Sequence, residues 1–518
     1  MTSLRRRAAT FLASDRLWIV AAGAAFALLV FFSQNRVVGW EPGYNDLQPG
    51  HHGWVSSHTL AVIAHATPAN GFVGFALATI DEGGRLDFDY FDRYPVFFSA
   101  GMHALLSLKT RLSTQIFLAK QAMNGFFILA VGAAYLILRK LSAAPLPALA
   151  SSILAVSSPY LLFYKDMVHY DQPALLGMLL LILAIAHHKL DGRRGYVVYG
   201  AALIATGLGR GYASLVVLLV WCLLEAIAWL RQEGASLRKL IPGLISLPAA
   251  RALALGTGWA ALNLGYNISV EVAKRGVPAA QTSIVLSAVD RLALNQDFNA
   301  SYAGLLGWGY FVRDELIRLV RWSFPVWNYE GSWQLSALIV GLMVGVIFLF
   351  GRSRDRAGRQ VIALLTLSGP IWLFAMRNLS AFHDYTAMYF LGIPLVFYAA
   401  IASTARLPRL GWLAAVGLSL VVFAARNAQI QNLHREIGGA TSAYTHDFMR
   451  IAAALPSEGQ AIFYANGVQY APYAAGFYLP DQYVAARQVA EYSISSDPDY
   501  AETNLTPENS RLFLFKND

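Results

Sequence analysis

The stretch "YVVYGAALIATGLGRGYASLVVLLVWCLLEAIAWL", residues 196–230, is apolar along nearly its whole length and has an arginine among three glycines near its middle. It reads either as one very long helix or as two short ones. Gly207-Leu208-Gly209-Arg210-Gly211 has the composition of a turn, and a charge in mid-membrane is costly, so the stretch divides into spans at 196–209 and 212–230. One unbroken helix would send every later loop to the other side of a bilayer. With the division, the loops on one side carry Arg139-Lys140, Lys189 with Arg193-Arg194, Arg231 with Arg238-Lys239, Arg352 with Arg354, Arg356 and Arg359, and Arg406 with Arg409. The short loops on the other side hold little beyond Lys165, Arg210 and Arg377. Basic residues gather on the cytoplasmic side of membrane proteins, so the divided reading satisfies that rule at every turn.

The rest of the chain extends the pattern. Of its 518 residues 56% are hydrophobic and only 14% charged, and the apolar residues form blocks of about 16 to 25, the length that crosses hydrocarbon as helix. Blocks fall near 17–32, 116–138, 145–163, 173–187, 196–209, 212–230, 240–264, 333–350, 360–376, 386–403 and 410–425, about eleven candidate spans. A soluble globular protein is excluded by this composition. The net charge of +9 is spread through short loops and does not indicate nucleic acid. Cys222 stands alone, which excludes a disulfide framework or a thiolate metal site. Arg5, Arg6 and Arg7 precede the first apolar run without a clear cleavage site, so that run is expected to remain as the first helix.

The expected fold is an α-helical polytopic membrane protein. Its transmembrane domain spans residues 1–425 with long outer loops at 33–115 and 265–332, and a small periplasmic C-terminal α/β appendage covers 426–518. Amphipathic stretches at Trp54 to Ala66 and Arg313 to Trp322 are suited to the interface, with Trp308, Trp322, Trp327 and Trp333 as anchors. In the tail a helix-like piece near 441–454 accompanies strand-like "AIFYA" at 461–465 and "RLFLF" at 511–515.

Placed by charge alone, nearly all the unusual polar residues fall on the outer side. "GYNDLQPGHHGW", residues 43–54, supplies Asp46, His51 and His52, with His58 just beyond. The same loop adds Asp81-Glu82, Asp87, Asp89 and Asp92-Arg93-Tyr94-Pro95. Later junctions bring Lys165-Asp166, His169-Tyr170-Asp171, Arg210 and His383-Asp384-Tyr385. Acids, bases and cations from distant segments that share one surface are the raw material of a site. Structural readings compete: Asp81 to Asp92 fit a solvated turn, Asp166 and Asp171 fit the positive end of a helix, His51 and His52 fit headgroup level, and Lys120, Gln121 and Asn124 fit packing between helices. Asp46 is different, because Gly43, Pro49 and Gly50 hold its loop against the membrane.

The layout resembles the GT-C glycosyltransferases, in particular the bacterial branch related to protein O-mannosyltransferases and the aminoarabinose transferase of lipid A. The resemblance rests on Asp46 after the first span, "AVIAHATPANGF" at 61–72, "FDYFDRYPVFFSAGMHALLSL" at 88–108, "LAVSSPYLLFYKDMVHYDQPALLGMLLLILAI" at 154–185 and "FHDYTAMYFLGIPLVF" at 382–397. It covers roughly residues 17–425. Asn45 stands where the family often has a second acid, and the family's double proline is reduced to Tyr94-Pro95, so dependence on a divalent metal is left open; no other cofactor is expected. The resemblance implies a polyprenyl-phosphate-linked sugar donor, a glycan, lipid or protein acceptor, inversion at the anomeric carbon, and a bacterial inner membrane with the site facing the periplasm. Asp46 is then the candidate general base. Lys165, Arg210 and Arg377, with Arg93, are candidates for the donor phosphate, and His51, His52, Tyr94, Asp166, Asp171, His383, Asp384 and Tyr385 for substrate contacts. The alternative is a polytopic transporter or flippase of lipid-linked sugars; such proteins place their sites near the bilayer midplane on broken helices in repeated halves, whereas these acids cluster in one outer layer.

Overall fold

The computed structural model describes residues 15–32, 50–91, 93–108, 112–141, 143–192, 195–233, 243, 245–291, 294, 300, 306–326, 329–438, 450–451, 454–455, 460–464, 482–485, 489–495 and 513–516. In chain order, α1 (Asp15–Phe32) is followed by α2 (Gly50–His65), the hairpin β1 (Phe75–Ile80) and β2 (Leu86–Tyr90), and α3 (Val96–Leu106). The helices α4 (Leu112–Lys140), α5 (Pro145–Ala155), α6 (Pro159–Tyr164), α7 (Asp171–Asp191), α8 (Tyr196–Gly207), α9 (Tyr212–Glu233) and α10 (Pro248–Arg275) come next. Then come α11 (Ser283–Arg291), α12 (Trp308–Ser323), α13 (Trp333–Arg352), α14 (Arg356–Ala375) and α15 (Arg377–Phe382). A 3₁₀ segment (Asp384–Leu391) leads into α16 (Gly392–Thr404) and α17 (Arg409–Gly438). Strands β3 (Ala461–Tyr464), β4 (Tyr483–Ala485), β5 (Tyr492–Ser495) and β6 (Phe513–Lys516) complete the elements.

The helices form a multi-pass membrane bundle. Seven described segments are long and apolar enough to cross a bilayer: Thr114–Lys140, Asp171–Asp191, Tyr212–Arg231, Trp333–Arg352, Arg356–Ala375, Tyr385–Thr404 and Arg409–Leu433. The divided reading of residues 196–230 matches the chain, since α8 ends at Gly207 and α9 starts at Tyr212. The other expected blocks differ in form. Residues 17–32 lie in the 18-residue α1. The 145–163 block is broken between α5 and α6, where Ser157 and Ser158 precede Pro159, a residue that disfavours helix before it. The 240–264 block gives way to α10, displaced toward the C-terminus and carrying Asn263, Asn267 and Glu271 on its buried face.

α7 is the centre of the bundle. It is apolar all round, and every residue from Asp171 to Ala186 except Leu180 is buried, as expected of a helix surrounded by others. By contrast α13 leaves Leu338, Leu342, Phe348 and Leu349 exposed, the kind of apolar face that lipid covers. At one end of the bundle Lys140 pairs with Asp191 at 2.5 Å, Lys189 with Glu225 at 2.6 Å and Arg409 with Asp15 at 2.7 Å, while Gln360 donates to Glu225. Lys140, Lys189 and the facing ends of α9 and α14, all at or beside the basic loops grouped by charge, therefore share the end where α7 finishes.

The first loop and the tail build a single sheet of order β2-β1-β4-β3-β5-β6. β1, β4, β3 and β5 run parallel, with antiparallel strands at both edges. Strands occupy the two tail segments expected, while the helix-like piece near 441–454 lies mostly outside the described residues.

Where α14 crosses the segment that follows it, two glycines allow backbone contact: a Cβ on Gly369 would meet the Tyr389 carbonyl oxygen at 1.9 Å, and one on Gly392 the Leu365 oxygen at 1.8 Å. Gly369→Ala and Gly392→Ala should each destabilise by about 1–3 kcal/mol through overpacking, seen as a lower thermal midpoint in detergent. Gly341→Ala, where an added Cβ meets nothing within 4 Å, should leave it unchanged.

Candidate active site

Opposite the end that holds those ion pairs, several segments converge around the start of α7. The chain breaks after α6, and Val168 N donates to Ser56 Oγ of α2 at 3.1 Å, which fixes the junction 165–170. The turn between α8 and α9 then packs onto it. Gly209 takes φ 52°, and a Cβ there would meet the Tyr170 carbonyl oxygen at 2.2 Å; a residue with a side chain would be both strained and in collision. This approach lets Arg210 N donate to the Tyr170 oxygen at 3.1 Å, and it delivers the Arg210 side chain to Asp171.

Arg210 and Asp171 are both almost wholly buried, 2% and 0% exposed, with Nη1 3.0 Å from Oδ1. Tyr389 OH donates to the same Oδ1 at 2.7 Å, and His169 Nδ1 donates to Oδ2 at 2.5 Å. Arg210 Nε donates to Tyr94 OH at 2.9 Å, and its guanidinium lies over the rings of Tyr94 at 5.1 Å and Tyr385 at 6.0 Å. Tyr94 is itself held from behind: Asn267 Nδ2 donates to its carbonyl oxygen at 2.7 Å, and Tyr212 OH to the Arg93 oxygen at 2.9 Å. Tyr170 completes the wall, its ring 4.5 Å from Tyr94 and its hydroxyl bonded to Ser99 Oγ at 2.7 Å.

A cleft of about 100 Å³ opens beside this network. Arg93, Tyr94, Arg210 and Tyr212 line it together with Ile284, Ser287 and Ala288 of α11 and with Trp372, Met376 and Leu379, and its open surface is almost wholly apolar. Such a surface suits an apolar ligand body, with the two arginines at its margin available to an anionic head.

The remaining candidates are dispersed. Lys165 is buried and donates to Asn124 Oδ1 at 3.4 Å; burial pulls its ammonium below the ordinary range, opposed by Asp166. Arg377 lies over the Trp308 ring at 4.4 Å, so neither cation lines the cleft. Asp166 is buried next to Lys165 in sequence. His383 packs against Tyr385, with ring centroids 5.2 Å apart. Asp46 lies outside the described residues, as do the side chains of His51, His52 and Asp384. The loop acids serve the scaffold: Asp81 Oδ1 accepts from the Gly83 and Arg85 amides, and Asp87 accepts two bonds from Arg275, which also bonds Glu271. Among the described residues no three His, Cys, Asp or Glu side chains gather as metal ligands.

The comparisons fall into place against this geometry. No family model matches the sequence, and no curated protein matches it. Among solved structures, ArnT from Cupriavidus metallidurans bound to undecaprenyl phosphate is similar at a TM-score of 0.57 and 10% identity over 97% of this chain and 98% of that one. Its apo state gives 0.52 at 13% identity over the same shares. The Archaeoglobus fulgidus oligosaccharyltransferase in the apo form gives 0.51 at 10% identity over 93% of this chain and 70% of that one. The chain shares the fold of these membrane proteins.

Within this fold, several site residues gave only faint signals in the sequence. Tyr389 follows Tyr385 by four residues in an apolar run, and Asn263, Asn267 and Glu271 recur at intervals of four on α10; polar groups at a helical repeat within an apolar stretch point inward. Trp372 and Tyr212 carried no signal beyond aromatic content. His58 on α2 is also buried here, with its ring 4.7 Å from Phe91. Its pKa is lowered to about 3 by burial, then by the positive charges of Arg93 and His169. The folded chain therefore binds fewer protons at this position than the unfolded one, and stability falls as pH drops below the ordinary histidine value of about 6.5 toward 3. His58→Asn should lessen the loss of thermal midpoint over that window, measured by melting in detergent at stepped pH.

Proposed function

We propose that this chain is a membrane glycosyltransferase that moves a sugar from a polyprenyl-phosphate carrier to a hydroxyl of a cell-envelope glycan or lipid at the periplasmic face, with inversion. The observation that carries the reading is an apolar cleft whose lining includes Arg93 and Arg210, set in a fold similar to an ArnT described bound to undecaprenyl phosphate. A lipid phosphate supplies an apolar chain for that surface and an anion for those arginines.

Transfer from such a donor breaks the anomeric C–O bond through an oxocarbenium-like transition state. The electron pair goes to the departing phosphate, and Arg210 and Arg93 stabilise the charge that builds there. Desolvation makes such contacts worth more than in water. Asp46 accepts the proton of the incoming hydroxyl, which attacks the face opposite the leaving phosphate. Ile284, Ala288, Trp372, Met376 and Leu379 receive the first part of the prenyl chain. A protein acceptor is the second reading, because the oligosaccharyltransferase neighbour is described tethered to an acceptor peptide.

The test is sugar transfer in membranes supplied with labelled polyprenyl-phosphate sugars. Asp46→Asn should lower the rate about 10²–10⁴-fold, the usual contribution of a general base. Arg210→Gln should raise the donor KM and lower kcat/KM about 10-fold or more, the share of one charged hydrogen bond. An unchanged rate in a well-folded Asp46→Asn variant removes that residue as the base. Movement of the intact lipid-linked sugar across vesicles without transfer would favour the transporter.

A further inference from the structure

We propose that Asp171 is a positioning residue: together with Tyr389 it holds the Arg210 guanidinium in place at the cleft for the anionic head of the ligand and does not itself touch that ligand. The inference rests on the reading of the cleft given above and departs from the expectation that Asp171 contacts substrate.

The geometry points this way on three counts. The Asp171 side chain is 0% exposed and is not part of the cleft lining, whereas Arg210 is. Its carboxylate already accepts from His169 Nδ1 at 2.5 Å and Tyr389 OH at 2.7 Å and has its charge met by Arg210, with Nη1 3.0 Å away, so both oxygens are engaged. Finally, arginine is long and rich in rotamers, so a ligand that had to order it on arrival would bind more weakly. Here the ordering is done beforehand. Tyr94 takes Nε, and the charge of Asp171 holds Nη1 3.0 Å away without a formed hydrogen bond, so hydrogen-bonding capacity remains on the terminal nitrogens among the described residues. Tyr389 steadies the oxygen that Arg210 faces, and the ring of cleft-lining Trp372 packs 6.2 Å from that of Tyr389.

The closing experiment uses the full chain in detergent or nanodiscs, with undecaprenyl phosphate as the probe and tryptophan fluorescence as the readout, against Asp171→Asn, Tyr389→Phe, Arg210→Gln and the Asp171→Asn/Arg210→Gln double variant. Thermal midpoints establish which variants are folded. Asp171→Asn should weaken binding about tenfold and Tyr389→Phe about threefold, the scale expected from loss of one bond to a charged group and one to a neutral donor. In the Arg210→Gln background Asp171→Asn should cost nothing further, because its effect passes through the arginine. A structural defect would not vanish in that background. Equal weakening by Asp171→Asn with and without Arg210 overturns the proposal, as does wild-type affinity in a folded Tyr389→Phe together with a folded Asp171→Asn. If Asp171→Asn does not fold, Tyr389→Phe alone and in the Arg210→Gln background decides. A folded wild type that does not bind the probe overturns the lipid-phosphate reading itself.

Discussion

A buried arginine facing a buried aspartate constrains the whole site end of this molecule. Removing either ion from water costs several kcal/mol, and their attraction repays this only when the geometry is good and the spare donors and acceptors are met. Asp171 meets that condition through Tyr389 and His169, and Arg210 in part, through Tyr94 at Nε; these partners come from the first loop, the segment before α16 and the junction before α7. Each of these segments is placed by partners of its own: Asn267 behind Tyr94, Gly369 against Tyr389, and Ser56 and Gly209 against the junction at Val168 and Tyr170. The pair therefore fixes where three outer connections sit relative to one another.

A multi-pass helical bundle was legible in the sequence because it follows from length and hydropathy, although seven of the eleven expected spans are long and apolar enough among the described residues. The turn at Gly207 to Gly211 was readable because glycine and a charge both oppose a continued helix. Other elements were not. The 145–163 block has the composition of a span, yet Pro159 after two serines interrupts it. α10 was expected too early in the chain because its Asn and Glu stripe lowers its hydropathy, although those polar residues face inward. Charge could assign Lys165, Arg210 and Arg377 to one side of the bilayer but could not say which share a cavity. That depends on tertiary contacts, and only Arg210 turns toward the cleft while Arg377 rests on Trp308. Tyr389 was hidden for a similar reason: its hydroxyl matters because of Asp171, more than two hundred residues away.

The acids of the first loop illustrate how a dense polar stretch can serve structure. Asp81 closes the hairpin turn by accepting two backbone amides, and Asp87 forms a bidentate pair with Arg275. Arg275 in turn bonds Glu271, whose carboxylate receives the Ser283 amide at the start of α11. This chain of polar contacts runs from the hairpin through α10 to α11, one wall of the cleft. Arg93 adds a second tie, with Nε donating to Ser283 Oγ at 3.2 Å.

The mixed sheet has a consequence for biogenesis. Thr79 and Ile80 of the first hairpin pair with Val484 and Ala485 near the other end of the chain, so the ribosome has threaded most of the polypeptide before that strand finds its neighbour. Until then β1 presents unpaired amides and carbonyls along one side, a template for illicit association. Contacts so remote in sequence also close slowly. Completion of this sheet is thus a late step that waits on the helices encoded between its strands, and the hairpin edge stays open until β4 arrives.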